Sequence, residues 1–319
     1  MTNLPVKTFL LQTIVSFVLT SFGILLIGSL PYLFFNMKGQ IAVLKLIDEK
    51  KLNNTVGLYD SLVLNYKEYF LHIAHTVESI FSGGFIEYYA RGSEHTLFPE
   101  FFGIYLHSML YLTVALIIGL FTAVMLTVFT MYLSPGKRRI PKAIIFLVES
   151  LPDIFIILLI QLLIIWIYKK TEILLLNITS GFDEEAIVLP IMVLAILPAV
   201  YIHKHLLLSF EEEEKRPYVE LALGKGLKRT TILVKHILRN SIITLFNHFK
   251  SIFWFALANL LMLEIIFDMP GFMTFIYENG VVNPELLTYG LFMVFIPFFI
   301  FFTTGKWILD SLFDIGGGY

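Results

Sequence analysis

Glu149 and Asp153 stand four residues apart in a long apolar run, a spacing that puts both carboxylates on one face of a helix, with Pro152 between them to loosen the backbone. Ionisable groups at membrane depth are expensive and mark function by default. Glu149, Pro152, Asp153 and Phe155 are therefore candidates to line a transport pathway, where a carboxylate could meet an amine. Lying about two turns from the end of their run, the two acids could equally snorkel to water. Glu264, in a later run, either contacts solute or braces the turn that follows at Pro270-Gly271. His72, His75 and Glu78 have a helical i, i+3, i+6 spacing that could hold a metal, although paired histidines on an amphipathic helix are more often surface residues. His203 and His205, two apart, cannot share a helix face and read as residues of the membrane interface. No P-loop, G-x-S-x-G or H-E-x-x-H string occurs, so the chain carries no ATPase or hydrolase motif of its own. We expect it to bind no metal and no cofactor.

The elements that must position these residues follow from composition. Of 319 residues, 57% are apolar and 15% charged, against roughly 45–50% and about a quarter in soluble domains. The net charge of −2 gives no reason to expect nucleic acid as a partner, and the lack of cysteine excludes disulfides and thiolate chemistry. Lipid is the indicated solvent. Roughly 20 apolar residues cross a bilayer as a helix, and six runs reach that length, at about 8–35, 103–133, 142–168, 186–209, 243–268 and 286–309. Continuous apolarity excludes the alternation of barrel strands, leaving an all-α protein of six membrane helices. The first run is too long for a cleaved signal and reads as a retained span.

Lys and Arg in short loops set the orientation. Loop 134–141 carries Lys137, Arg138 and Arg139, and 210–242 carries Lys215, Arg216, Lys225, Lys228, Arg229, Lys235 and Arg239, whereas 269–285 carries none. Both basic loops, and with them both termini, are expected in the cytoplasm of a plasma-membrane protein. Segment 36–102 then lies outside, its apolar residues at helical spacing suggesting short amphipathic helices over the bundle. The chain divides into 1–102 (first span and long outer segment), 103–312 (a five-helix core) and a tail, 313–319.

Loop 210–242 is more elaborate than a turn requires. Pro217 suits a first helical position, Glu220 lies near the positive end of that helix, and Gly224 and Gly226 end or bend it before a second amphipathic stretch with Ile232, Leu233, Ile237 and Leu238. Glu220-Leu221-Ala222-x-x-x-Gly226 resembles the E-A-A-x-x-x-G core of the permease subunits of ABC importers. The wider string Tyr218-Val219-Glu220-Leu221-Ala222-Leu223-Gly224-Lys225-Gly226-Leu227, with Lys235-His236-Ile237-Leu238-Arg239-Asn240, is similar to the oligopeptide, dipeptide and nickel permeases. Glu264-Ile265-Ile266-Phe267-Asp268-Met269-Pro270-Gly271 resembles that family's E-x-I-F-x-x-P-G, and Ser150-Leu151-Pro152-x-x-Phe155 its S-x-P-x-F. The sequence departs from the family at Leu223 (usually Arg), at Met273 (usually Gly), in ending Asp314-Ile315-Gly316-Gly317-Gly318-Tyr319 rather than D-P-R, and in the acidic run Glu211 to Glu214.

The resemblance implies a type I importer bundle whose loop 210–242 docks as a coupling helix on a cytoplasmic ATPase. Tyr218, Glu220, Leu221, Ala222, Gly224, Lys225, Gly226 and Leu227 would carry that contact, and Phe267, Pro270 and Gly271 an outer-gate turn. It implies a second permease subunit, two ABC ATPases holding ATP and Mg, and an extracytoplasmic solute-binding protein. The solute would be a short peptide, with nickel chelates or haem as alternatives. A rival reading keeps the fold but makes the chain a non-transporting scaffold or sensor, its acidic run and altered end serving another partner.

Overall fold

The computed structural model describes residues 6–53, 64–82, 87–90, 92–181 and 185–312. Six described helices are long and apolar enough to cross a membrane: Phe9–Gly28, Glu100–Tyr132, Asp153–Thr171, Val188–Glu213, Arg229–Ile266 and Glu285–Leu312. The chain forms two compact units, one running to Tyr105 and resuming at Phe275, the other Leu106–Thr274. The last span thus belongs with the first rather than with the five-helix segment drawn from sequence. The tail 313–319 lies outside the described residues.

In the first unit, α1 (Val6–Gly28) is followed after Ser29 by the short α2 (Leu30–Phe34), with Pro31 in its first turn. Two amphipathic helices follow, α3 (Met37–Asp48) and α4 (Tyr66–Ser82). Beyond them the expectation of helices alone fails, because β1 (Glu87–Ala90) and β2 (Ser93–Thr96) pair antiparallel from Glu87↔Thr96 to Ala90↔Ser93, turning at Gly92 with φ +81. Asn283 docks the hairpin as a strand would: its Oδ1 accepts from the Tyr89 amide at 2.7 Å and its amide donates to the Tyr89 carbonyl at 2.8 Å. His72, expected at the surface, is buried. It lies 2.9 Å from the Ser29 hydroxyl and stacks on Tyr32, whose hydroxyl donates to Glu285 at 2.9 Å. Burial and the Glu285 carboxylate together push the Tyr32 hydroxyl far above the usual phenol range. On α13 (Glu285–Leu312), Phe295 and Phe299 pack against Phe17 of α1, at 5.5 and 5.3 Å between ring centres.

The second unit holds most of α5 (Glu100–Tyr132), then α6 (Arg139–Glu149), α7 (Asp153–Thr171), α8 (Val188–Glu213), α9 (Pro217–Gly224), α10 (Arg229–Thr231) and α11 (Leu238–Ile266), and ends within α12 (Phe272–Asn279). The expected span 142–168 is two helices. The residue before a proline is driven out of helical geometry, so the chain breaks at Ser150-Leu151, and Pro152, extended at φ −60 and ψ 139, starts α7 afresh. Lipid supplies no hydrophobic drive between helices, so packing and polar contacts must specify their pairing. Ile202, Leu206 and Phe210 of α8 and Ile252, Leu260 and Leu263 of α11 are buried in this unit, where the two helices pack together. Across the same contact the Ser209 hydroxyl donates to Ser241 at 3.0 Å.

Candidate functional site: the loop between the fourth and fifth spans

The helix between the fourth and fifth spans is written residue by residue. Arg216 is extended at φ −76 and ψ 144, and Pro217 opens α9 with the φ a first turn needs and no amide to leave unpaired. α9 buries Val219 and Ala222 and leaves Glu220, Leu221 and Leu223 exposed. Glu220 makes no ion pair among the described residues. The end explains the A-x-x-x-G spacing. Leu227 donates its amide to the Ala222 carbonyl at 3.2 Å and Gly226 donates to Leu223 at 2.9 Å, the paired bonds of a left-handed helix stop. That stop requires positive φ four residues after Ala222, and Gly226 supplies it at +76.

Three of the four acidic residues before α9 turn back into the protein. Glu214 receives both ends of the Arg138 guanidinium, at 2.7 and 2.9 Å, and a third bond from Arg229 at 2.8 Å. Arg138, itself buried, also donates to the Met131 and Leu133 carbonyls, and Arg229 to Met131. The end of α5, the 134–141 loop, the end of α8 and the start of α10 are thereby tied at one carboxylate. Glu213 accepts from the Tyr218 hydroxyl at 2.7 Å and from Asn240 at 3.0 Å, fixing α9 to α11, and Glu211 pairs with Lys142 at 2.7 Å. Burial and Glu213 push the Tyr218 hydroxyl up to about 12, so it remains a donor at physiological pH. Of these partners only Tyr218 was among the residues expected to matter. The available signal was the basic run Lys137 to Arg139 set against the acidic run Glu211 to Glu214.

Hydrogen bonds from Arg138 hold the Glu214 carboxyl below the usual carboxylate range in spite of its partial burial. A lowered folded-state value means that the tie is fully made above the unfolded carboxylate value, about 4.3, and is lost as pH falls through the folded one. Amide-exchange protection of residues 215–228 is therefore expected to hold from pH 8 to 5 and to be lost progressively as pH falls below the unfolded carboxylate value of about 4.3. Glu214→Gln should lose that protection already at pH 7; if it keeps it, the tie is not what orders the loop.

After α10 the chain passes through a π-helical turn, Ile232–Ile237, before α11. Such turns are uncommon and concentrate at functional sites and hinges. Here it buries Ile232, Leu233 and Ile237 where the loop becomes the span.

The other candidates are dispersed. Glu149 and Asp153 do not share a helix face, because the break at Pro152 puts them on different helices. Glu149 pairs with Lys204 at 2.5 Å, while Asp153 accepts from Asn259 at 3.2 Å. Phe155 is half-exposed on α7. Glu264 is 1% exposed. Its carboxylate accepts from the Ser108 hydroxyl at 2.7 Å and from the Thr274 amide at 2.8 Å, and the Ser108 oxygen in turn accepts from the Phe272 amide. Its backbone carbonyl accepts from Met269 at 2.8 Å. Phe267 is fully buried, Pro270 is exposed, and Gly271 packs directly against the Glu264 carboxylate. His203, expected at the interface, is buried, its Nδ1 at 2.9 Å from Thr127. Among the described residues, no group of three or more His, Asp and Glu side chains could hold a metal ion.

Two proteins named as peptide permeases, from Brucella ovis and Brucella suis biovar 1, are each 31% identical to this chain over 83 residues, 26% of this chain and 26% of theirs. The chain thus matches about a quarter of the length of these relatives. The model of the binding-protein-dependent transport system inner membrane components matches residues 115–313, which take in the candidate positions from Glu149 to Gly271 and the whole of the tied loop. With six membrane helices and more than half its length in that match, the chain belongs to the family of binding-protein-dependent transport system inner membrane components.

Proposed function

We propose that this chain is the permease subunit of an ATP-driven importer of short peptides in the plasma membrane, with both termini and loop 210–242 in the cytoplasm. One observation carries the reading: a short helix that leaves Glu220, Leu221 and Leu223 exposed is held rigidly to the ends of three spans by Arg138, Glu213 and Glu214. A flexible loop could not transmit force from a moving partner, whereas this one would pass displacement of α9 directly into α8 and α11. In the proposed mechanism, closure of two ABC ATPases holding ATP and Mg pushes α9, and the spans rock between inward and outward access. A second six-span subunit would supply the facing wall of the pathway, and a solute-binding protein would deliver the peptide from outside. The peptide assignment is supported by the names of the two relatives. Three of the four acidic residues that suggested a different partner are engaged within the chain, which favours the permease reading over a scaffold role.

The test is purification of tagged protein from its native host in mild detergent. Wild type should recover an ATPase and a second six-span protein. Glu220→Arg, reversing an exposed charge on α9 without touching Glu213 or Glu214, should cut ATPase recovery at least fivefold while leaving the second permease. Absence of any ATPase from the wild-type sample, under conditions that preserve other transporters, would overturn the reading.

A further inference from the structure

Glu149 is paired with Lys204, whereas Asp153 makes no ion pair among the described residues, and its carboxylate accepts one hydrogen bond, from Asn259 at 3.2 Å. The position of that contact along the spans follows from Gln161, which donates to the Ile266 carbonyl at 3.4 Å and so stands level with the last residue of α11. Asp153 precedes Gln161 by eight residues and Asn259 precedes Ile266 by seven, which sets their contact roughly 10–12 Å in from the end of α11. The hydrocarbon core is about 30 Å thick, so this carboxylate lies at membrane depth, where a charge is expensive and faces water or a partner rather than lipid. Asn259 is 5% exposed, and its orientation is fixed. Its Nδ2 donates both to Asp153 and to the Phe255 carbonyl at 3.0 Å, and a flipped amide would press two carbonyl oxygens together. The amide oxygen, Oδ1, is therefore left as an acceptor, accessible and without a partner among the described residues. The adjoining surface also suits water better than lipid. Phe255, one turn back along α11, stacks with Tyr201 at 6.1 Å, Tyr201 meets His205 at 4.5 Å, and His205 stacks on His248 at 4.1 Å. All four are half-buried, so a strip of aromatic and imidazole groups runs from Asn259 along α8 and α11 towards loop 210–242.

We propose that Asp153 and Asn259 bind the terminal ammonium of a peptide in transit, while Tyr201 and Phe255 face its residues. The proposal rests on the reading of the chain as a peptide importer and adds a selectivity to it. Both amide hydrogens of Asn259 are spent, so the pair offers acceptors, a negative charge and no donor. That set asks for a cation carrying N–H groups. A free amino terminus supplies charge and three donors. An N-acetylated terminus keeps a single N–H and no charge, and the site should pass it over.

The chain has no cysteine, so Phe255→Cys gives it a single thiol. The full chain, purified in detergent with whatever membrane and ATPase subunits accompany it, would be treated with a sulfonated methanethiosulfonate, which needs water to react, and the mass of this chain read over time. The thiol is expected to react, to be slowed at least fivefold by excess trialanine, and to be untouched by N-acetyl-trialanine. Adding Asp153→Asn, which keeps an oxygen for Asn259 to donate to, should abolish the protection while the thiol still reacts. A thiol that never reacts would overturn the proposal, since lipid or a neighbouring subunit would then cover this face. Equal protection by both peptides, protection by neither, or protection that survives Asp153→Asn would overturn it as well. So would loss of the second permease from the Asp153→Asn complex, which would give the carboxylate to a subunit contact. Uptake of labelled trialanine by cells carrying the wild-type importer separates the two levels. If uptake stands and protection fails, the assignment of Asp153 alone falls; if uptake is absent, the peptide reading falls and takes the proposed ligand with it.

Discussion

Gly271→Ala is expected to destabilise the protein by about 3 kcal/mol or more, read as a loss on the order of 10 °C in Tm in detergent. A Cβ at this position would stand 1.9 Å from the Cδ of Glu264 and about as close to both of its oxygens, so the carboxylate must leave its place. The cost goes beyond overlap. Glu264 is the hub of the turn after α11, accepting from Ser108 and from the Thr274 amide near the start of α12, and its displacement would strand donors inside the protein, each worth roughly 1–3 kcal/mol. A double-mutant cycle isolates this mechanism. Glu264→Ala alone should also destabilise, but in that background Gly271→Ala should add almost nothing, because the obstructing carboxylate is gone. Additive losses would show that Gly271 acts through something other than its contact with Glu264. The same cycle bears on Glu264 as a pathway residue: a carboxylate committed to the Ser108 hydroxyl and to the amide and hydroxyl of Thr274 has little left to offer a passing solute.

The spans and the helix-and-stop of loop 210–242 are legible in the sequence because local rules write them. Apolar length marks six helices, Pro217 marks a first turn, and Ala222 with Gly226 marks a left-handed stop. The third span was drawn too early for a physical reason. Ile140, Ile144 and Leu147 extend the apolar run by composition, but hydropathy is blind to the backbone restriction that Pro152 imposes on Leu151, and the run breaks there. The hairpin after α4 escaped because its strands have four residues each and its anchor, Asn283, lies 194 residues away from Tyr89. Distance in sequence also hid the tie at Glu214, whose partner Arg138 is 76 residues off and could be read only as one charge among several in a basic loop. His72 shows the opposite failure: its helical spacing with His75 was visible, whereas its burial depends on Ser29, Tyr32 and Glu285, contributed by other elements.

Gly226→Asp is expected to lower peptide uptake at least tenfold while leaving the amount of protein in the membrane within about twofold of wild type. The two halves of that expectation rest on different features of one residue. At φ +76 a side chain costs roughly 1–2 kcal/mol, and least for Asp and Asn, which visit this region most readily. Nothing lies within 4 Å of the position a Cβ would take, so no packing is disturbed and the spans should assemble. That open space is the surface on which a partner would sit: Gly226 ends the helix whose Leu221 and Leu223 point outward, and a carboxylate there meets the partner rather than the chain itself. Gly226→Asn, of equal size and neutral, separates charge from backbone. Uptake should largely recover in Asn if the added charge is what the partner rejects, and should stay low if close approach requires the bare backbone of glycine. ATP hydrolysis by the purified complex distinguishes uncoupling from failed assembly, since an uncoupled complex hydrolyses ATP without moving peptide. Undiminished uptake by Gly226→Asp would mean that α9 is not the surface through which force enters the spans, and the rigid tie at Arg138, Glu213 and Glu214 would then have to be explained by stability alone.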